Sequence, residues 1–187
     1  MGSHVFELFD KAYALLDDIT PRRYDCGTLC GAFCCQNLSP TDKPESGMLL
    51  LPYEKAYLQH LGATDYSYLC DSTHKQPDML ICSGHCDRHI RPFSCRIFPY
   101  YTSFITAPDG RYILNVRPDP RAIPICPLTT RKGCKRCAPR FMRNLKSAVK
   151  ILSAEPAILD DFLFTANFLD SLYDFAEKMY RDRSAET

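Results

Sequence analysis

The sequence predicts a helix-rich α+β fold with an irregular, cysteine-rich centre and a small antiparallel sheet, framed by N- and C-terminal helices. Three observations lead to this prediction: apolar residues recur at helical spacing near both ends, short β-type runs occupy the middle, and all 11 cysteines fall between the helical ends. The 187 residues fit one domain, 1–187, with an opening helix at 5–19, a cysteine-rich core at 24–137 and C-terminal helices at 139–183.

The helical pattern is clearest at the two ends of the chain. From Val5 to Ile19 apolar residues are spaced three or four apart, and Thr20-Pro21 ends the run. The longest periodic segment extends from Pro156 to about Arg181, and a shorter helix is predicted from about Arg140 to Leu152. With 45% hydrophobic residues, these helices have enough apolar material to form an ordinary core.

Short apolar runs in the middle of the chain predict strands. These strands are Met48–Leu51, Tyr66–Cys70, Met79–Cys82, Tyr101–Thr106 and Tyr112–Val116. The Pro108-Asp109-Gly110 sequence favours a turn, so the last two strands are predicted to form a hairpin. A helix is predicted from Pro52 to Leu61, with Gly62 beyond its end. The proline-rich segment from Arg117 to Pro127 is predicted to be irregular.

Charge and hydropathy predict a cytoplasmic protein. A secretory signal needs an apolar run of about 7–15 residues near the start, but five charged residues interrupt the first twenty positions. No run of about 18 apolar residues occurs, so no transmembrane helix is predicted. The net charge of +1 gives no general attraction to nucleic acid or to an anionic membrane. Thiols stay reduced in the cytoplasm, and the odd number of cysteines also argues against a disulfide framework.

The first cysteine cluster predicts a metal site. Thiolates that share one zinc ion or one iron–sulfur cluster must converge, so their ligands come from short segments. Cys26, Cys30 and Cys34 would lie on one face of a helix, whereas the glycines after the first two would allow a loop that curls around the metal. Either conformation brings the three sulfurs together. Cys35 would point elsewhere, toward a second metal or into the core.

The remaining cysteines form two further groups and one isolated position. The second group is Cys82, Cys86 and Cys95, and the third is Cys126, Cys134 and Cys137. Several ligand segments within one domain strengthen the metal prediction, although Cys134 and Cys137 form a CxxC pair that is weak evidence by itself. Cys82 is likewise a weaker candidate. Cys70 lies in a predicted strand and is interpreted as a buried core thiol.

The order of these motifs resembles the YkgJ-type family of zinc- or iron-chelating domains, which includes flagellin lysine N-methylases. The resemblance rests on Cys26, Cys30, Cys34-Cys35, Cys86, Arg91-Pro92, Cys95-Arg96-x-Phe98-Pro99 and Cys126-Pro127, and it spans about residues 26–127. It implies metal chelation by Cys26, Cys30, Cys34, Cys35, Cys86, Cys95 and Cys126. Three features depart from the family pattern: Phe33 lengthens the usual CGxCC to CGxxCC, the interval between Cys82 and Cys86 is short, and Leu128 replaces a glycine.

The functional prediction is a metal-binding protein whose specific activity is open. An all-thiolate site suits Zn²⁺ or a [4Fe-4S] cluster, and the mixture of close and distant cysteines slightly favours the cluster. One alternative is an S-adenosylmethionine-dependent protein methyltransferase like the flagellin lysine N-methylases. Another is a zinc-stabilised module that contacts a protein partner, or nucleic acid through the basic run from Arg131 to Arg140, although the nearly neutral charge argues against nucleic acid.

Whether the chain is an enzyme stays open, because no catalytic base can be named. The sequence contains no GxGxxG, Walker or HExxH motif. His85 and His89 are interpreted as surface or supporting residues rather than ligands. Arg96 has two possible roles: it could neutralise a thiolate-rich centre or bind an anion, or it could pair with an acidic side chain.

Overall fold

A computed structural model describes residues 2–21, 30–35, 47–63, 66–69, 78–81, 87–122, 126 and 138–185. These residues form a mixed α+β structure that is about 52% helix and contains small antiparallel sheets. The helices are α1 (Gly2–Ala14), α2 (Glu54–His60), α3 (Phe93–Ile97), α4 (Pro139–Leu152) and α5 (Pro156–Ala185). The strands are β1 (Gly47–Leu49), β2 (Ser67–Leu69), β3 (Met79–Ile81), β4 (Tyr100–Thr106) and β5 (Tyr112–Pro118). The predicted α+β class is confirmed.

The first helix ends earlier than its apolar pattern predicts. Helix α1 stops at Ala14, and residues 15–18 form a turn in which the Leu16 amide donates to the Tyr13 carbonyl at 2.8 Å. Leu16 is nevertheless fully buried. The apolar spacing therefore continues past the helix because the turn still packs on the core, which is why the prediction extended to Ile19.

Helices α1, α2 and α4 enclose the main core. Helix α4 begins with Pro139 at its first position, where the missing N–H has no cost, and it buries Phe141 and Leu145 completely. On the other side, the Phe9 ring of α1 stacks on Tyr57 of α2 with the centroids 4.9 Å apart. This packing confirms the helical periodicity predicted for the opening helix as far as Ala14 and for the helix from about Arg140 to Leu152.

The predicted helix after Pro52 is confirmed, together with its glycine stop. Gly62 has φ of +89°, a left-handed conformation that glycine adopts without steric cost. Its amide donates to the Gln59 carbonyl, and the next amide, from Ala63, donates to Leu58. These bonds satisfy carbonyls at the end of α2.

The strands form two antiparallel sheets. The three-stranded sheet has the order β1-β3-β2, and the hairpin pairs β4 with β5 from Thr106↔Tyr112 to Tyr100↔Pro118. The hairpin prediction is confirmed. The prediction of an irregular segment from Arg117 onward is wrong at its start, because β5 continues to Pro118 and residues Pro120–Ala122 form a 3-10 helix. Proline is tolerated here because it ends the strand.

Helix α5 is fastened to the hairpin through Asp170. Its carboxylate accepts hydrogen bonds from the Tyr101 and Ser103 hydroxyls, each at 2.6 Å, and pairs with the Arg117 guanidinium at 2.5 Å. Burial alone would raise the pKa of Asp170, but the two hydroxyls and the guanidinium outweigh it and lower the pKa. The guanidinium also lies 4.2 Å from the Tyr173 ring centroid.

Asp170→Ala is expected to lower the free energy of unfolding by about 2 kcal/mol at neutral pH, because Tyr101 and Ser103 lose their shared acceptor. A group whose folded pKa is lowered stabilises the protein above its unfolded pKa and loses that effect as pH falls through the folded pKa. The deficit should therefore shrink in acid. Urea denaturation at several pH values measures it, and the exposed Asp174→Ala on the same helix is the control. Equal losses for the two variants would contradict the anchoring role.

No helix within the described ranges is both long enough and apolar enough to cross a membrane.

Candidate metal centre and its supporting residues

The described part of the first cysteine cluster is a tight turn. Gly31 and Ala32 both have left-handed backbone conformations, with φ of 62° and 53°. After them, Cys34 and Cys35 lie in a 3-10 helix, Phe33–Cys35, whose last amide donates to the Ala32 carbonyl at 2.8 Å. A continuous α-helix cannot contain two left-handed residues. The loop alternative is therefore favoured for residues 30–35 over a helix that carries cysteines on one face.

Cys95 lies on α3, a five-residue helix that the sequence did not reveal. Pro92 precedes the helix and the Phe98 amide, just after it, donates to the Ser94 carbonyl at 3.1 Å. Phe93 is fully buried, whereas the Cys95 side chain is half-buried. A helix this short is not stable by itself, so other parts of the chain must hold it in place.

Glu54 holds the beginning of α3. One carboxylate oxygen accepts hydrogen bonds from the Tyr13 hydroxyl at 2.5 Å and the Phe93 amide at 2.6 Å, and the other accepts from the Leu51 amide at 2.8 Å. Glu54 has no solvent exposure. Burial raises its pKa, against the opposing effect of these three hydrogen bonds and of Arg96. Because Tyr13 belongs to α1, this one carboxyl group joins three helices.

Arg96 holds the rest of α3. Its Nε donates to the Arg91 carbonyl and its Nη2 to the His89 carbonyl, both at 2.8 Å, while Nη1 pairs with Asp17 at 2.5 Å. The guanidinium carbon also lies 4.0 Å from the Tyr13 ring centroid. Of the two roles open for Arg96, the structure therefore shows the ion pair with an acidic side chain. The other role, toward a thiolate-rich centre or an anion, stays a prediction.

The neighbouring basic residues also contact the segment that follows α1. Arg88 donates to the carbonyls of Leu16, Asp17 and Ile19, at the turn that follows α1. His89 is 76% exposed, and its Nδ1 lies 3.7 Å from Asp17. The interpretation of His89 as a surface residue is confirmed. His85 lies outside the described residues.

Cys126 is the most buried of the described candidate ligands, with 6% of its surface exposed. Its amide donates to the Ala122 carbonyl at 2.7 Å, which ties it to the 3-10 helix at Pro120–Ala122. Cys30, Cys34, Cys35, Cys95 and Cys126 all carry thiols rather than disulfides.

The described residues form only part of the predicted donor set. Among them, no group of three or more Cys, His, Asp or Glu is arranged to hold a metal ion. The other predicted ligands, Cys26, Cys82, Cys86, Cys134 and Cys137, lie outside the described residues, as does Cys70. The chemistry of the donors fits, because reduced thiols are the groups that zinc and iron–sulfur clusters require.

A cavity of about 120 Å³ lies between β1, α3, β4 and the first turns of α5. A cofactor pocket next to the C-terminal helices is what the methyltransferase alternative requires. Pockets for drug-sized ligands measure roughly 300–1,000 Å³, so this volume is small for S-adenosylmethionine. The cavity therefore gives that alternative no specific support.

No family model, curated protein or solved structure matches this chain. Any functional conclusion therefore rests on the residues and on the geometry described above.

Proposed function

We propose that this chain is a metal-binding protein of the YkgJ type, in which cysteine thiolates hold zinc or an iron–sulfur cluster. The proposed donors within the described residues are Cys30, Cys34, Cys35, Cys95 and Cys126. Cys26 and Cys86 complete the set implied by the resemblance, and Cys82, Cys134 and Cys137 are weaker members.

The observation that carries the proposal is the anchoring of Cys95. Metal ligands are effective when surrounding contacts fix them before the metal binds. Glu54 binds the first amide of α3 and Arg96 ties the helix to Asp17, so the residue between them has a defined position. Burial of a charged side chain costs free energy, and two such residues hold this five-residue helix in place. This cost is consistent with a helix that presents a functional group.

The bound group would supply folding free energy if it is zinc, and electron transfer if it is an iron–sulfur cluster. The chain's own residues provide reduced thiols and hold them on hydrogen-bonded segments. Arg96 contributes to the position of Cys95 through its ion pair with Asp17.

Cys95→Ser is expected to remove at least half of the bound metal and to lower the melting temperature, because binding energy at such sites is folding energy. Elemental analysis and electron paramagnetic resonance of protein purified without oxygen measure the metal and distinguish a brown iron–sulfur protein from a colourless zinc protein. Ser94→Ala, on the same helix, controls for disturbance of α3, and Cys70→Ser controls for loss of any cysteine.

The two controls should keep most of their metal. Equal metal loss in Cys70→Ser and Cys95→Ser would show that ligand and core cysteines were assigned wrongly. A native preparation with disulfides between the cysteine groups and no metal would overturn the proposed function.

A further inference from the structure

The cavity beside α3 has mainly apolar walls. Phe93 and Ile97 of α3, Leu50 after β1 and Phe162 of α5 line it, and each of these side chains is buried. These walls belong to elements that are already fixed by the core. The walls of this space are therefore core side chains, which suit an apolar group.

The charges of the side chains that line the cavity do not sum to zero. Asp119 is almost fully buried and pairs with Arg121, whose Nη2 donates to its carboxylate at 2.7 Å. The third charged lining residue is Asp161, near the start of α5, and no described residue forms a hydrogen bond or an ion pair with it. The described part of the lining thus has one uncompensated negative charge.

Removal from water raises the pKa of Asp161 to about 6, and no neighbouring cation lowers it. The carboxylate is consequently mostly ionised at pH 7.5, in surroundings that solvate it poorly. A cation placed beside it would gain a strong interaction, since the apolar walls reduce screening by water.

The size of the cavity limits the ligand. One water needs roughly 10–15 Å³ of such space, so a cavity of about 120 Å³ holds about eight to twelve water-sized groups. We propose that this cavity binds a small primary amine with an aromatic or branched apolar body, whose ammonium group pairs with Asp161 and whose body packs against Phe93, Ile97 and Phe162. This proposal does not rest on the proposed metal centre.

The test uses two probes of the same size, benzylamine and benzyl alcohol, which differ in charge at pH 7.5. Calorimetric titration of the full-length protein should show saturable binding of benzylamine, at least tenfold tighter than binding of benzyl alcohol. Asp161→Asn should weaken benzylamine binding at least tenfold. Asp160→Asn removes the same charge from an exposed neighbouring position and should leave binding unchanged.

Equal affinity for the two probes would overturn the proposal, as would equal effects of the two substitutions or the absence of saturable benzylamine binding. Asp161→Asn keeps the shape of the side chain and removes a poorly solvated charge, so the variant is expected to fold, which a melting curve checks. If it did not fold, the comparison of the two probes on the wild-type protein would still decide. Loss of metal in Cys95→Ser tests the proposed function separately.

Discussion

Glu54→Ala is expected to lower the free energy of unfolding by about 3–5 kcal/mol, which is a large part of the stability of a domain of this size. The substitution leaves the Tyr13 hydroxyl and the Phe93 and Leu51 amides buried without an acceptor, and each such group costs about 1–3 kcal/mol. It also opens a void where α1, α2 and α3 meet. Urea denaturation followed by circular dichroism measures the change.

Glu54→Gln separates the hydrogen bonds from the volume of the side chain. The glutamine oxygen can still accept from Tyr13 and Phe93, but its NH₂ group would face the Leu51 amide, donor against donor. We therefore expect an intermediate loss of about 1–3 kcal/mol. Glu7→Ala, on the exposed face of α1, is the control and should change stability by less than about 0.5 kcal/mol. An unchanged free energy of unfolding in Glu54→Ala would show that Glu54 is not the junction of the three helices.

Arg96→Met is expected to have the second largest effect and to lower the free energy of unfolding by about 2–4 kcal/mol. Methionine retains much of the apolar packing beside Tyr13, but the His89 and Arg91 carbonyls lose their donor and the half-buried Asp17 loses its counter-ion. The same denaturation experiment measures the loss. Metal analysis of the variant shows whether displacement of α3 also impairs the centre.

Arg111→Met provides a matched control for Arg96→Met. Arg111 also forms an ion pair, with Asp109 at 2.7 Å, but its side chain is 83% exposed. Surface pairs of this kind contribute little to stability, because water screens them and both side chains lose freedom. A similar loss in the two variants would mean that burial of Arg96 has no energetic role.

The parts of the fold that local sequence specifies were predicted well. The hairpin follows from a turn signal between two β-type runs, and the stop of α2 follows from Gly62. Helix α3 was missed because five residues are too few to show a period. Its formation depends on Glu54, 39 positions earlier in the chain, and no local pattern reports such a partner.

In the candidate site, too, local sequence patterns were informative and distant partners were not foreseen. Residue type and spacing predicted thiol donors; the five described cysteines are free thiols, and their role as metal ligands stays a prediction. The supporting residues were not predicted, because Glu54 resembles an ordinary acidic residue in the first turn of a helix. Asp160 and Asp161 are also indistinguishable in sequence, and only the packing of α5 exposes one and lines the cavity with the other.

Arg88 and Arg96 both reach back to residues 16–19, about seventy to eighty positions earlier in the chain. Closing so long a segment costs entropy before any of these contacts forms. The final position of the segment around Cys95 therefore depends on contacts with the N-terminal residues, because Arg88 and Arg96 bind there. Detachment of α1, for example after a cut in the chain that follows it, would displace Cys95, although that cysteine is remote in sequence. The first twenty residues therefore act as a scaffold for it.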